Sequence, residues 1–168
     1  MTATFERRDH DPMVGRVIDG RFEIEALLGS GAVGSVYRAQ ERSEGRVVAL
    51  KIWNTPAHND QTRGRFMREA KALSTLRHPN IVDVYRYGVS EVLPYVAMEY
   101  LDGKTLEALL ANGQPLDAAL AFDVITQVLR ALAYAHDLGV VHRDLKPDNV
   151  VLVQGPRGQP IVKLLDYG

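Results

Sequence analysis

The chain has 168 residues, 46% hydrophobic and 24% charged, which fits a soluble globular domain able to bury a core. Its 20 basic and 21 acidic residues leave a net charge of −1, so no bulk attraction to nucleic acid or an anionic membrane exists and any polyanion must be held by local groups. With no cysteine, a disulfide framework and a thiolate metal site are both excluded, and a reducing, cytoplasmic setting is expected.

The opening stretch MTATFERRDHDP is polar and lacks an apolar signal segment, so residues 1–19 are expected to form a flexible tail. No apolar run is read as approaching the length of a membrane-spanning helix. From Gly20, the segments RFEIEALLG, SVYRAQE and RVVALKIW alternate in polarity between Gly and polar clusters, which predicts three consecutive antiparallel strands. RGRFMREAKALSTL spaces Phe66, Ala70, Leu73 and Leu76 as one face of a helix, and HPN ends it. IVDVYRYGV and LPYVAMEYL predict two more strands, giving a five-stranded sheet with one helix and an α+β class.

Residues 102–168 carry the helical part. DGKTLEALLANG predicts a short helix ended by Gly113. LDAALAFDVITQVLRALAYAHDLG predicts a long buried one, with Ala121, Ile125, Val128, Leu132 and Ala135 as the apolar stripe, Asp123, Gln127 and Arg130 opposite, and Gly139 as C-cap. NVVLV and IVKLL then form a hairpin around QGPRGQP. The domain boundaries expected are a tail over 1–19, a strand-rich unit over 20–101 and a helical unit over 102–168.

Five constellations carry chemistry. In LGSGAVGSV, Gly29, Gly31 and Gly34 let backbone N–H groups approach phosphate oxygens, although a hairpin between strands favours glycine for its own sake. Lys51 lies in an apolar strand and shares a face with Ala49. It is either a lysine reaching to solvent or a cation whose counter-charge is Glu69, itself spaced i,i+4 from Arg65. In HRDLKPDN, Asp144 can accept a proton from a hydroxyl, Lys146 can neutralise a phosphoryl group and Asn149 offers a hard oxygen to a divalent cation. In LLDYG, Asp166 offers a second such oxygen, across the hairpin from Asn149.

A Gly-rich hairpin, a strand Lys, a helix Glu, an H-R-D loop with its Asn and a D-x-G triplet, in that order from Gly20 to Gly168, resemble a eukaryotic-type serine/threonine protein kinase of the bacterial kind. The resemblance implies the protein-kinase fold, with a complete N-lobe of five antiparallel strands plus helix C, and the first part of the helical C-lobe. It implies MgATP (or MnATP) as cofactor and a protein Ser/Thr hydroxyl as acceptor, with no nucleic-acid or membrane partner in this segment. Gly29, Ser30, Gly31, Ala32, Val33, Gly34, Ser35 and Val36 would cover the phosphates, and Leu28 would also belong to the cofactor-binding set. Ala49, Val36 and Val151 would line an adenine slot with Met98 as gatekeeper and Glu99 and Leu101 offering backbone hydrogen bonds. Lys51 would hold the α and β phosphates and pair with Glu69; Asp144 would be the catalytic base with Lys146 beside it; Asn149 and Asp166 would hold the metal. His142, Tyr167, Leu73 and Val84 would form a hydrophobic spine.

The chain departs from the pattern at Tyr167, where Phe is usual, and at Val33, where the loop tip is often aromatic. It also ends at Gly168, before an activation segment. That leads to the expectation of an N-terminal fragment, inactive alone, with apolar surface on the long helix and the back of the catalytic loop through which copies could associate. A nucleotide-binding regulatory module without transfer is the alternative, and Lys146 weighs against a small-molecule kinase.

Overall fold

In the computed structural model, residues 11–111 and 113–166 are described. They divide into two compact units: residues up to 74 with 84–100, and residues 75–83 with those from 101 onward.

The first unit is a six-stranded antiparallel sheet in the order β1 (Val17–Ile18), β2 (Phe22–Ser30), β3 (Gly34–Glu41), β4 (Arg46–Trp53), β6 (Leu93–Glu99), β5 (Val84–Ser90), with one helix, α1 (Asp60–Leu73). Five of the strands are those the alternation predicts. The sixth, β1, lies inside the stretch expected to be a loose tail. Residues 11–19 are built into the sheet instead: Gly15 donates to the Ile24 carbonyl at 2.8 Å, Ile24 to that of Arg16 at 2.9 Å, and the buried Tyr95 hydroxyl donates to Asp19 at 2.6 Å. Two residues are too few to show a period of two, so sequence pattern alone misses this strand.

One face of this sheet is the core. Phe22, Ile24, Tyr37, Ala39, Val48, Leu50, Ile52, Tyr95 and Ala97 form a buried cluster, and Met13, Ile18, Leu27 and Leu93 pack against it. Gly88 has no room for a Cβ because the Tyr95 ring lies about 3 Å from where it would stand. At the end of β3 the fully buried Glu41 accepts from Arg46 at 2.6 Å, which compensates a charge that could not otherwise be buried. α1 begins at Asn59, whose side chain accepts from the Thr62 N–H, and docks through Phe66, edge-on to Trp53 at 5.2 Å between ring centroids. Leu76, expected on its apolar face, lies beyond its end and is buried in the second unit.

The second unit holds a three-stranded sheet, β7 (Gly103–Thr105), β8 (Val150–Gln154) and β9 (Pro160–Leu164) in that order, with helices α2 (Leu106–Leu110) and α3 (Ala118–Asp137). Residues 103–105, expected to be helical, are β7: Gly103 lies so close to β8 that a Cβ would meet the Leu152 carbonyl oxygen at 2.4 Å, and Thr105 then caps α2. α3 opens on Asp117, which accepts from Ala119 and Leu120, and closes in a Schellman motif with Gly139 at φ +75°. Val140 donates to the Ala135 carbonyl and Gly139 to that of His136, each at 2.9 Å.

The buried face of α3 differs from the expected stripe. Val124, Ala131 and Ala135 are inside, and Gln127, placed on the polar side by pattern, turns inward to β9. Ile125 is 58% exposed, beside Phe122 and Leu129 at 75% and 60%. At 20 residues, α3 is also long and apolar enough to cross a membrane by length and composition, contrary to the reading that no run approaches that size. The dispersed polar residues had hidden its average character.

Candidate active site

The predicted site residues fall in both units, and each set is described within its own.

In the first unit the sheet register does the positioning. Side chains directly opposite one another share a face. Gly29 pairs with Val36, Val36 with Lys51 and Lys51 with Val96; one step along, Arg38 pairs with Ala49 and Ala49 with Met98. Val36, Ala49, Lys51 and Met98 therefore stand together on the face opposite the core, because Val48, Leu50 and Ile52 take the other side of β4. Two bulges in β2, after Ile24 and after Leu27, shift its phase so that Leu27 packs on the core while Gly29 aligns with Lys51. Leu28 sits at the second bulge. Glu99, paired with Val48 at the end of β6, takes the side of β4 opposite that row, and Leu101 opens the longer segment of the second unit.

The three glycines of the hairpin have different reasons to be glycine. At Gly34 a Cβ would stand 2.4 Å from the Ile52 carbonyl oxygen, so the close approach of β3 to β4 demands it. At Gly29 and Gly31 the space is open, with at most the Gly34 oxygen at 4.0 Å, so no packing among the described residues requires them. Gly31 donates to the Gly34 carbonyl at 2.9 Å and closes a turn tipped by Ala32 and the exposed Val33, with Ser30 and Ser35 paired below it.

Lys51 holds its ammonium 5.1 Å from the Trp53 ring centroid, a cation–π contact on the same face. On α1, Glu69 accepts from Arg65 at 3.0 Å, the i,i+4 pair offered as its alternative partner.

The second unit builds its set from irregular backbone. Asp144 donates its N–H to the His142 carbonyl at 2.8 Å across Arg143, whose φ of +63° makes a tight γ-turn that non-glycine residues rarely adopt. His142 is buried, and burial pushes its imidazole below the ordinary pKa. The Asp144 carboxylate meets Lys146 Nζ at 2.7 Å, and that hydrogen bond holds its pKa below the usual carboxylate value; the Lys146 ammonium is raised in return. Asn149, 5% exposed at the end of a single 3₁₀ turn begun by Pro147, donates through Nδ2 to both the Asp144 carbonyl (2.8 Å) and carboxylate (3.1 Å). With its amide nitrogen so spent, Asn149 has its Oδ1 end for a cation.

Asn149 and Asp166 flank the β8–β9 hairpin. Val150 pairs with Leu164, and Leu165 donates to the Asn149 carbonyl at 2.9 Å. Asp166 follows at φ +48°. Two hard oxygens at the foot of a hairpin suit Mg²⁺, which takes few protein ligands and fills its octahedron with phosphate oxygens and water. Among the described residues no group of three or more His, Cys, Asp and Glu offers a denser site. Val151 lies buried beside them on β8. Tyr167 and Gly168 of the D-x-G triplet lie outside the described residues.

Residues 22–168 match the protein kinase domain family. The chain belongs to the protein kinase family. It is 42% identical over 163 residues to serine/threonine-protein kinase pkn3 of Myxococcus xanthus, covering 95% of this chain and 30% of that one. It is 38% identical to PrkC of Bacillus subtilis, covering 93% of this chain and 24% of the other. Among solved structures it resembles the kinase domain of Mycobacterium tuberculosis PknI, with a TM-score of 0.78, 33% identity and coverage of 91% and 61%. It also resembles Rad53 in complex with AMP-PNP (TM-score 0.76, 31% identity, 88% and 38%). This kinase chain thus spans under a third of the length of those two curated relatives.

Sequence reasoning missed two polar residues, Asn80 and Gln127, that hold β9. Gln127 Oε1 accepts from Val162 N–H (2.9 Å) and Asn80 Nδ2 (2.7 Å), while its Nε2 donates to the Pro160 carbonyl (3.1 Å) and to Asp123 (2.9 Å). The signal was faint: an amide three residues after Val124 and one before Val128, at a position any surface glutamine could occupy.

Proposed function

We propose that the protein carrying this chain is a serine/threonine protein kinase, transferring the γ-phosphoryl of MgATP to a protein Ser or Thr hydroxyl. The observation that carries the reading is the Asp144 carboxylate held between Lys146 and Asn149 in a strained turn. That arrangement fixes one carboxylate oxygen and keeps the group ionised, which a base receiving a hydroxyl proton requires. The family membership and the names of the bacterial relatives support it.

In this reading Gly29 and Gly31 present backbone N–H groups to phosphate oxygens, which the open space at both positions permits. Adenine contacts are assigned to Val36, Ala49 and Met98 in the first unit and to Val151 in the second, and backbone hydrogen bonds to the base to Glu99 and Leu101. Lys51 neutralises the α and β phosphates and takes Glu69 as its partner. Asp144 orients the acceptor hydroxyl and takes its proton, and Lys146 offsets charge on the moving phosphoryl group. Asn149 and Asp166 would hold Mg²⁺, which supplies charge neutralisation across the phosphates when bound. The isolated 168 residues are proposed to bind nucleotide without transferring it, since they correspond to 61% of the PknI kinase-domain chain and positioning supplies most of phosphoryl-transfer catalysis. A cytoplasmic site of action is proposed with this reading.

Calorimetry with ATP in the presence and absence of Mg²⁺ tests the assignments. Lys51→Met should weaken binding in both conditions and Asp166→Asn only with Mg²⁺. Equal affinity in all three proteins would remove both residues from the nucleotide site. In the protein that carries this chain, Asp144→Asn should lower transfer at least about a hundredfold, the scale of a lost general base. If Asp144→Asn binds MgATP normally and no Ser/Thr phosphate ever forms in the unsubstituted protein, the chain is a nucleotide-binding regulatory module.

A further inference from the structure

β9 is the outer strand of its three-stranded sheet, with β8 on one side and, at Leu164 alone, a parallel bridge to Ile81 on the other. An edge strand ordinarily leaves a row of backbone groups to water. Here every outward group from Pro160 to Leu164 has a partner. The Pro160 carbonyl takes Gln127 Nε2, Val162 N–H gives to Gln127 Oε1, and the Val162 carbonyl takes Asn80 Nδ2 at 2.9 Å. Leu164 N–H gives to the Asn80 carbonyl at 2.9 Å, and the Leu164 carbonyl takes Val82 N–H at 3.0 Å. Gln127 uses both lone pairs and both amide hydrogens in this arrangement, counting Asp123. Asn80 uses both hydrogens of its side-chain amide.

The strand so held ends two residues before Asp166. Its register decides where that carboxylate stands, because the Leu165 N–H bond to the Asn149 carbonyl forms only when Leu164 faces Val150. A slip of β9 would break the Leu165–Asn149 bond and move Asp166 relative to Asn149. We infer that Gln127, with Asn80, is a positioning residue for the metal site: it fixes the outer edge of β9 at Pro160 and Val162, where the Ile81 bridge does not reach, and so holds the register that brings Asp166 beside Asn149. The inference rests on the reading of Asn149 and Asp166 as Mg²⁺ ligands. Groups hydrogen-bonded directly to metal ligands typically govern affinity by about 10- to 100-fold, and Gln127, which acts through the strand, is expected at the lower end of that range.

The experiment uses the 168-residue chain and four proteins: unsubstituted, Gln127→Leu, Asp166→Asn and the double variant. ATP affinity is measured by calorimetry in EDTA and in Mg²⁺. The expected result is that Gln127→Leu leaves affinity in EDTA within twofold, lowers the Mg²⁺-dependent gain about tenfold, and adds nothing on top of Asp166→Asn. Amide exchange on the nucleotide-free chain should show Val162 losing protection in Gln127→Leu. A full Mg²⁺ gain in Gln127→Leu overturns the inference, as does an equal loss in EDTA or a loss additive with Asp166→Asn, either of which marks a merely structural residue. If the unsubstituted chain binds ATP with no Mg²⁺ gain, the metal-ligand reading falls first. Should Gln127→Leu lose its far-ultraviolet helical signal, Gln127→Glu keeps both acceptor bonds and carries the same comparison: a gain lowered at least threefold supports the inference, and an unchanged gain overturns it.

Discussion

The two units place their candidate site side chains by opposite means. In the sheet of the first unit, Val36, Ala49, Lys51 and Met98 share a face because antiparallel register leaves them no other choice, and the core on the reverse face fixes which side that is. In the second unit, Asp144, Lys146, Asn149 and Asp166 sit on backbone that no periodicity dictates. Two positive φ values, a γ-turn and side chain to backbone bonds hold them. A face made by register tolerates changes to any one polar side chain and fails when the strands are pushed apart; a loop made by individual bonds fails one bond at a time.

The first unit should therefore break at its backbone contacts. Gly34→Ala puts a Cβ against the Ile52 carbonyl oxygen, and β3 must move off β4. We expect a loss of about 2–3 kcal/mol in denaturant unfolding, the upper range for overpacking. Gly31→Ala, with open space, should stay within about 0.5 kcal/mol and lower ATP affinity instead. Equal stability losses at the two glycines would refute the division of their roles.

The second unit should break at Asn149. Asn149→Leu removes two donors from Asp144 at a buried position, and we expect a loss of about 1–3 kcal/mol in unfolding by urea. Amide exchange should rise across residues 142–149 while the sheet of the first unit stays protected. A uniform rise in both units would mean the loop is not held by this residue.

How legible each unit was follows from the same contrast. Alternation in RVVALKIW is enough to place Lys51 and Ala49 on one face and Leu50 and Ile52 on the other, as found. Of the bulges that bring Gly29 into line with Lys51, the second shows only as a break in alternation at Ala26, Leu27 and Leu28, which does not say which residue is the extra one. In the second unit, HRDLKPDN announces its chemistry through residue type, but nothing in it states that Asn149 faces Asp144 or that Arg143 carries a left-handed backbone. α3 was misread by a fraction of a turn: with apolar residues nearly all round, the buried stripe is chosen by what packs against it, and Gln127 went to β9 while Ile125 went to solvent.

Acidity offers a gentler probe of the loop. Lys146 holds the Asp144 carboxyl low, so the pair's contribution is complete above the ordinary carboxylate range and is lost as pH falls through that depressed value. Lys146 is raised, so on the alkaline side the contribution is lost only as pH passes its elevated pKa. The pair is intact throughout the neutral range. Lys146→Met should move the Asp144 titration, followed by carboxyl carbon resonances, upward toward the ordinary value. An unmoved midpoint would mean that Asn149 alone keeps the group ionised.

The smallest effect belongs to Arg65 and Glu69. Their pair is exposed, and Arg stands on the N-terminal side of Glu, the weaker orientation along a helix. Arg65→Ala should change stability by no more than about 0.3–0.5 kcal/mol, within reach of differential scanning calorimetry only by careful replication. Its effect on nucleotide binding is the informative one. If Glu69 serves Lys51 when ATP is bound, the Arg65 guanidinium competes for the same carboxylate, and removing it should leave ATP affinity unchanged or slightly raised. Glu69→Gln, which takes the carboxylate from both cations, should lower it. Parallel losses in the two variants would make the helix pair itself the feature that ATP binding needs. Glu69 would then owe its place to α1, not to the strand lysine.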